Sequence, residues 1–394
     1  MSQMKNAIVG QSGGPTTAIN ATLAGVIRGV AKTDQIGTLY GCLNGITGAI
    51  NDELIDLSAS MDDGKLALLK HTPSTYLGSC RYRLDKEEDL ARVVETLKKH
   101  NIGYFFYIGG NDSMDTISRL TAYAGDSGIQ FIGIPKTIDN DLPVTDHCPG
   151  YGSAAKYIAT SVLEIARDCY CYSTPSVTVV EIMGRHAGWI TAASALARTS
   201  YSSAPDLIYL PERDFSTERF IADIRQALRR RRNVVVAVSE GIVVPQYDDD
   251  CGTRDVFGHR QLGGIGKALT DIVKFYIGCK TRSIEVNVLQ RCAAHLASKT
   301  DLDESEAIGK AAVQAALAGE TGKMMVYVRE EPYSVSFDCA DINGIANLEK
   351  KMPDEFISPD GNDVTAAFIN YVTPLVAGEA YPLYENGLPV FLGR

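Results

Sequence analysis

Five short apolar runs, each ending in a loop rich in glycine and polar residues, constrain the fold of this chain more than any other feature. Ala7-Ile-Val9 runs into Gly10-Gln-Ser-Gly-Gly14 and a helical stretch over about 17–31. Tyr104-Phe-Phe-Tyr-Ile108 runs into Gly109-Gly-Asn-Asp-Ser113 and a helix to about Ala124. Phe131-Ile-Gly-Ile134 leads to Pro135-Lys-Thr-Ile-Asp-Asn-Asp141. Val177-Thr-Val-Val-Glu-Ile182 meets Met183-Gly-Arg185, and Val234-Val-Val-Ala-Val238 meets Ser239-Glu-Gly241. These runs are continuous rather than alternating, which marks strands buried on both faces, as in parallel sheets covered by helices. The fold class is therefore α/β. Ligands of such sheets bind beyond the carboxyl ends of the strands, so the five loops are expected to converge on one or two clefts.

Length and composition exclude several classes. A chain of 394 residues suggests two or three domains. With 48 acidic against 38 basic side chains its formal charge is −10, a poor basis for binding nucleic acid, which requires clustered cations. No apolar run approaches the ~18 residues needed to span a bilayer, and the start of the chain lacks the pattern of a secretory signal. Nine cysteines without C-x-x-C spacing read as reduced, mostly buried thiols of a cytoplasmic protein rather than a zinc site. The run Arg229-Arg-Arg-Arg232 is expected at a helix C-terminus, where cations complement the macrodipole. Pro143, Pro149, Gly150 and Gly152 mark a hinge near 142–152, ahead of a helix over about 153–170.

Three loops carry residue types suited to phosphate chemistry. Gly13 and Gly14 allow backbone N–H groups to approach a phosphate, although a glycine pair after a strand also serves plain turns. Gly109-Gly-Asn-Asp-Ser113 adds an amide and a carboxylate at the start of a helix, where an Asp also caps. Lys136-Thr-Ile-Asp-Asn-Asp141 adds two carboxylates and a lysine. Paired carboxylates beside phosphate-cradling loops fit metal-assisted phosphoryl transfer, one near the metal and one taking the proton of the acceptor hydroxyl.

SGG at 12–14, YLGSCR at 76–81, GGNDS at 109–113, PKTIDND at 135–141, EIMGRHAGW at 181–189 and SEG at 239–241 together resemble the PfkA-type 6-phosphofructokinases. The resemblance runs from residue 6 to about 300. It implies two Rossmann-like parallel-sheet domains with the active site in the cleft between them. The expected phosphoryl-donor domain is 1–150 plus about 290–340; the sugar-phosphate domain is 151–289 plus about 341–394. It also implies a homo-oligomer, dimer or tetramer.

The resemblance assigns roles by position. Asp139 is the implied base for the sugar C1 hydroxyl, with Thr137 on the same sugar. Asp141 and Asn111 are the implied neighbours of Mg²⁺, Asn111 standing where the family usually has Asp. Gly13, Gly14, Arg81, Gly110 and Ser113 are implied donor contacts. Met183, Gly184 and Arg185 are similar to the fructose 6-phosphate segment, Glu240 to the residue that accepts a sugar hydroxyl, and Arg282 and Arg291 to arginines that hold the 6-phosphate. Ser176 and Val288 replace an arginine and a histidine found there in many members. His186 reads as a packed or hydrogen-bonded histidine rather than a proton shuttle.

Asp112 and Lys136 separate the possible donors, because ATP-using members have Gly at both positions. A carboxylate at 112 occupies the path of a nucleotide's α-phosphate and ribose and repels phosphate. Two like charges about 4 Å apart cost on the order of 4 kcal/mol at an effective dielectric near 20. Lys136 supplies a cation for the transferring phosphoryl group. Both resemble the pyrophosphate-dependent branch. The expected reaction is reversible phosphoryl transfer from pyrophosphate to fructose 6-phosphate, with an ATP-dependent kinase or a non-catalytic sugar-phosphate-binding paralogue as alternatives.

Overall fold

The structure is a computed structural model and describes residues 4–244, 262–346 and 348–394. Strands β1 (Lys5–Gln11), β2 (Ile36–Cys42), β3 (Leu54–Asp56), β4 (Ile102–Gly109) and β5 (Gln130–Pro135) come from the first third of the chain. β6 (Ser176–Ile182), β7 (Leu207–Tyr209), β8 (Asn233–Ser239) and β9 (Lys280–Glu285) come from the middle. β10 (Lys323–Glu330) and β11 (Ser334–Asp341) follow. All five apolar runs are strands, and the mixed α/β architecture follows from them.

Two sheets form. The larger has the order β11-β10-β5-β4-β1-β2-β3, and the smaller β7-β8-β6-β9. All pairings in the smaller sheet are parallel. In the larger sheet only the edge strands β3 and β11 pair antiparallel with their neighbours. Alternation along each strand explains the continuous apolar runs. Val9, Phe106 and Ile108 face one core of the larger sheet, while Ile8, Phe105 and Tyr107 face another. In the smaller sheet Val180 and Ile182 face one side, Val177 and Val179 the other. Both faces are covered, so every second residue cannot be polar.

Register aligns the loops. Gln11 of β1 pairs with Ile108 of β4, and Gly109 of β4 with Pro135 of β5. The three phosphate-suited loops thus leave adjacent strands side by side. Likewise Ile182 of β6 pairs with Ser239 of β8, which sets residues 183–185 beside Glu240.

The helix Ile19–Val30 after β1 packs against Lys299–Leu317, which leads into β10. They cross closely: a Cβ on Gly25 would lie 2.1 Å from the Glu306 carbonyl oxygen, and one on Gly309 would lie 2.3 Å from that of Thr22. The helix between β7 and β8 spans Thr217–Arg230, so Arg231 and Arg232 lie just beyond its end. Arg231 pairs with Asp206 at 3.0 Å, an ion pair the reading of a simple solvated terminus did not anticipate. Eight cysteines of the described residues are free thiols; Cys251 lies outside them. Among the described residues no helix is long and apolar enough to cross a membrane.

Candidate functional site

The carboxyl ends of β1, β4 and β5 open into a cavity of about 390 Å³. Its lining brings together Gly13, Gly14, Arg81, Gly110, Asn111, Asp112, Ser113, Lys136, Thr137, Asp139, Asp141, Arg185 and Arg291. Thirteen positions singled out in the sequence therefore share one wall.

The first loop is shaped by its lysine neighbour. Gly13 has φ +78°, a left-handed conformation that favours glycine, and a Cβ there would sit 3.0 Å from the Lys136 ammonium. Ser79 donates to the Gly13 carbonyl at 2.8 Å, and Lys136 Nζ donates to the Gly14 carbonyl at 2.7 Å. The Arg291 guanidinium stands on the other side, with Cζ 3.8 Å from where a Gly14 Cβ would be. The second loop opens the helix Asn111–Ala124, with Gly110 at its N-cap and Asp112 in the first turn. Ser113 and Met114 N–H both donate to the Gly110 carbonyl, at 3.0 and 3.1 Å, so the turn is closed behind Asn111 and Asp112, and the positive end of the helix dipole lies at the cavity wall.

The third loop is sealed in by backbone bonds. Lys136 N–H donates to the Gly109 carbonyl at 2.9 Å, and Thr137 N–H to that of Pro149 at 3.2 Å. Thr137 Oγ1 accepts from the Asp139 N–H at 3.1 Å. Burial shifts each charged group toward its neutral form. Burial, then repulsion from Asp141, pushes the Asp139 carboxyl up to about 6, against the attraction of Arg185, Arg291 and Lys136. Burial pulls the Lys136 ammonium down to about 8, opposed by Asp139. Asp141 is raised by burial as well. Asp139 is thus a base poised near neutrality beside a lysine still mostly protonated at pH 7.

Asn111 has a divided amide. Its Nδ2 donates to the Leu348 carbonyl at 2.6 Å, which fixes the orientation and leaves Oδ1 buried with no partner. An unpaired buried carbonyl oxygen near the Asp139 and Asp141 carboxylates is a donor set suited to a hard divalent cation. Among the described residues no group of three or more His, Cys, Asp or Glu side chains is arranged to hold a metal alone. Such an ion would need oxygens from a phosphate as well.

The second-sheet residues behave differently. Glu240 Oε1 accepts from the Gly184 N–H at 3.2 Å and the Arg185 N–H at 3.1 Å. These bonds hold Arg185 at φ +52°, an uncommon conformation for a non-glycine residue, and aim it at the cavity. Burial raises the Glu240 carboxyl, opposed by the Arg185 backbone bond. Met183, Gly184 and Glu240 do not line the 390 Å³ cavity themselves. Arg282 is not brought to it: it pairs with Asp168 and lines a separate shallow depression with Ser176 and Lys280. Val288 is exposed, and so is His186; of the packed or hydrogen-bonded histidine expected there, the packed form is not what forms.

Sequence reasoning missed the far wall of the cavity. Leu348 and Glu349 line it, more than 200 residues from Asn111 in the chain. No motif marks them. It also missed Glu181, whose carboxylate accepts from the Gly264 and Gly266 N–H groups and which burial pushes up to about 7.

Comparison with known proteins agrees with this geometry. The family described as Phosphofructokinase matches residues 6–316. A pyrophosphate–fructose 6-phosphate 1-phosphotransferase of Halomonas elongata is 43% identical over 98% of this chain and 94% of its own. One of Xanthomonas campestris pv. campestris is 45% identical over 98% of this chain and 95% of its own. The crystal structure of a pyrophosphate-dependent phosphofructokinase from Nitrosospira multiformis superposes with a TM-score of 0.90 at 40% identity, covering 99% of this chain and 96% of that one.

Proposed function

The chain belongs to the phosphofructokinase family, and from that premise we propose that it catalyses reversible transfer of a phosphoryl group from inorganic pyrophosphate to the C1 hydroxyl of fructose 6-phosphate. The observation that carries this reading is that Asp112, Lys136 and Asp139 line one cavity. A base, a phosphoryl-directed cation and a nucleotide-repelling carboxylate are there together. Relatives at 43% and 45% identity named for the pyrophosphate-dependent reaction support it over the ATP-dependent alternative. The retained base argues against a non-catalytic paralogue, which would not need one.

The C1 hydroxyl docks against Asp139, and its proton passes to that carboxylate as the oxygen attacks the near phosphorus of pyrophosphate. Lys136, held by the Gly14 carbonyl, meets the negative charge that spreads over the transferring group and the departing phosphate. The N–H groups at the start of helix Asn111–Ala124 and the Arg81 guanidinium face the donor. In reverse, Asp139 returns its proton to the C1 oxygen, and the phosphoryl group passes to inorganic phosphate. We assign Asn111 and Asp141 to a divalent cation, Mg²⁺ by the chemistry of its oxygen donors. When bound, such an ion neutralises donor phosphate charge.

We further propose that residues 1–150 with about 290–340 form the donor domain, and 151–289 with about 341–394 the sugar domain, in a cytoplasmic homo-oligomer. Arg282, away from the cavity of its own chain, would then serve the 6-phosphate across a subunit contact. The test of donor identity is a coupled assay with pyrophosphate and ATP side by side. Turnover with pyrophosphate alone is expected; ATP turnover without pyrophosphate activity would overturn the reading.

A further inference from the structure

Two hydrogen bonds bracket Glu349. On one side the Leu348 carbonyl accepts from Asn111 Nδ2 at 2.6 Å; on the other the Lys350 N–H donates to the Asp141 carbonyl at 2.6 Å. Glu349 is therefore suspended between the two residues assigned to the cation, and it lines the same cavity. The strap holding it is fixed at its far end. Lys350 Nζ donates to the Thr145 and Asp146 carbonyls at 3.1 and 2.8 Å and stands 5.1 Å from the centroid of the Trp189 ring. Trp189 Nε1 in turn donates to the Lys350 carbonyl at 3.1 Å.

The charge at this end of the cavity needs an explanation. Asn111 presents a neutral oxygen, buried and unpartnered, where a carboxylate would give a hard cation a stronger ligand. Lys136, Arg185, Arg291 and Arg81 crowd the same wall with positive charge. A divalent ion there gains from another anion close by. Glu349 lines the cavity together with Asn111 and Asp141 and is the carboxylate that the 348–350 segment brings to this end of it.

We infer that Glu349 supplies, from the C-terminal strap, the negative charge that Asn111 does not, and that it holds the divalent cation at the donor end of the cavity, directly or through a bound water. This rests on the assignment of Asn111 and Asp141 to the cation. It makes the strap 348–350 part of the metal site rather than a mere cover.

Titration of Mn²⁺ alone into the full-length protein, with free ion read by electron paramagnetic resonance, tests this without turnover. Glu349→Gln is expected to raise the Mn²⁺ Kd roughly 10-fold, the low end of the range for groups that support a metal's ligands. Adding Asn111→Asp to Glu349→Gln is expected to restore binding to within about threefold of wild type. Saturable binding by wild type with no change in Glu349→Gln would overturn the inference and leave the reaction assignment standing. A weakened Glu349→Gln that Asn111→Asp fails to rescue would overturn the charge replacement. Absence of saturable binding by wild type would instead overturn the cation assignment on which both depend.

Discussion

Two buried clusters of charged groups lie within a few residues of each other along the chain, and they are built to opposite ends. In the cavity, Lys136 is buried and Asp139 and Asp141 are half-buried on the same lining, yet no ion pair within 4 Å joins Lys136 to either carboxylate among the described residues. Asp139 rises to about 6 and Lys136 falls to about 8, both drawn toward neutrality. A few residues on, every member of the second cluster is saturated. Asp146 accepts from Arg329 Nε at 3.1 Å and meets His147 Nδ1 at 2.8 Å, while His147 Nε2 meets Glu304 at 2.9 Å. Tyr333 closes the set by donating to Glu304 at 2.8 Å.

There burial still favours neutral forms, but the partners outweigh it. The hydrogen bonds of His147 and Arg329 hold Asp146 down to about 2, and those of Asp146 and Glu304 raise His147. The saturated cluster ties the 142–152 segment to β10 and to helix Lys299–Leu317, so this stretch is anchored rather than loose. The difference teaches what a working site leaves undone. Groups that must gain or lose a proton are desolvated but not locked; groups that only hold the chain are locked.

Four expected outcomes test this contrast. The largest is Asp139→Asn, which should lower kcat by roughly 10²–10⁴ while fructose 6-phosphate still binds. An effect confined to KM in steady-state assays would remove Asp139 from the role of base. Next, Asp146→Ala should cost about 3–5 kcal/mol of stability in denaturant unfolding, because it strands Arg329 and His147 in the interior. Loss of activity at full stability would place that cluster in the chemistry instead.

The third outcome separates the clusters by pH. Asp139 must be ionised to accept a proton, so kcat/KM should fall about tenfold per unit as pH drops below about 6. The stability due to Asp146 follows the opposite displacement. Its folded value lies below the ordinary 3.8, so its contribution is complete above about pH 4 and is lost as pH falls toward about 2. Activity should therefore fail about two units before folding does, as read by pH–rate and acid-unfolding profiles; coincident midpoints would contradict the separation. The smallest is Asp112→Gly with Lys136→Gly, expected to admit slight ATP turnover in the coupled assay. Unchanged donor preference would show that exclusion of the nucleotide lies elsewhere.

Much of this is legible in the sequence. The five apolar runs specify strands covered on both faces, and the glycine-bearing loops after β1, β4 and β5 specify where phosphate can approach, because local sequence sets both strand burial and turn conformation. Lys136, Asp139 and Asp141 sit in one heptapeptide, so their proximity needed only the strand end that precedes it. The Leu348–Glu349 wall, the turn of Arg185 held by Glu240, and the removal of Arg282 to another face were not legible. Each depends on which distant segments the two sheets bring together. Linear order fixed the chemistry each loop can offer; only packing decided which side chains are desolvated, which are paired off and which are left free to react, because burial and pairing belong to neighbours in space rather than in sequence.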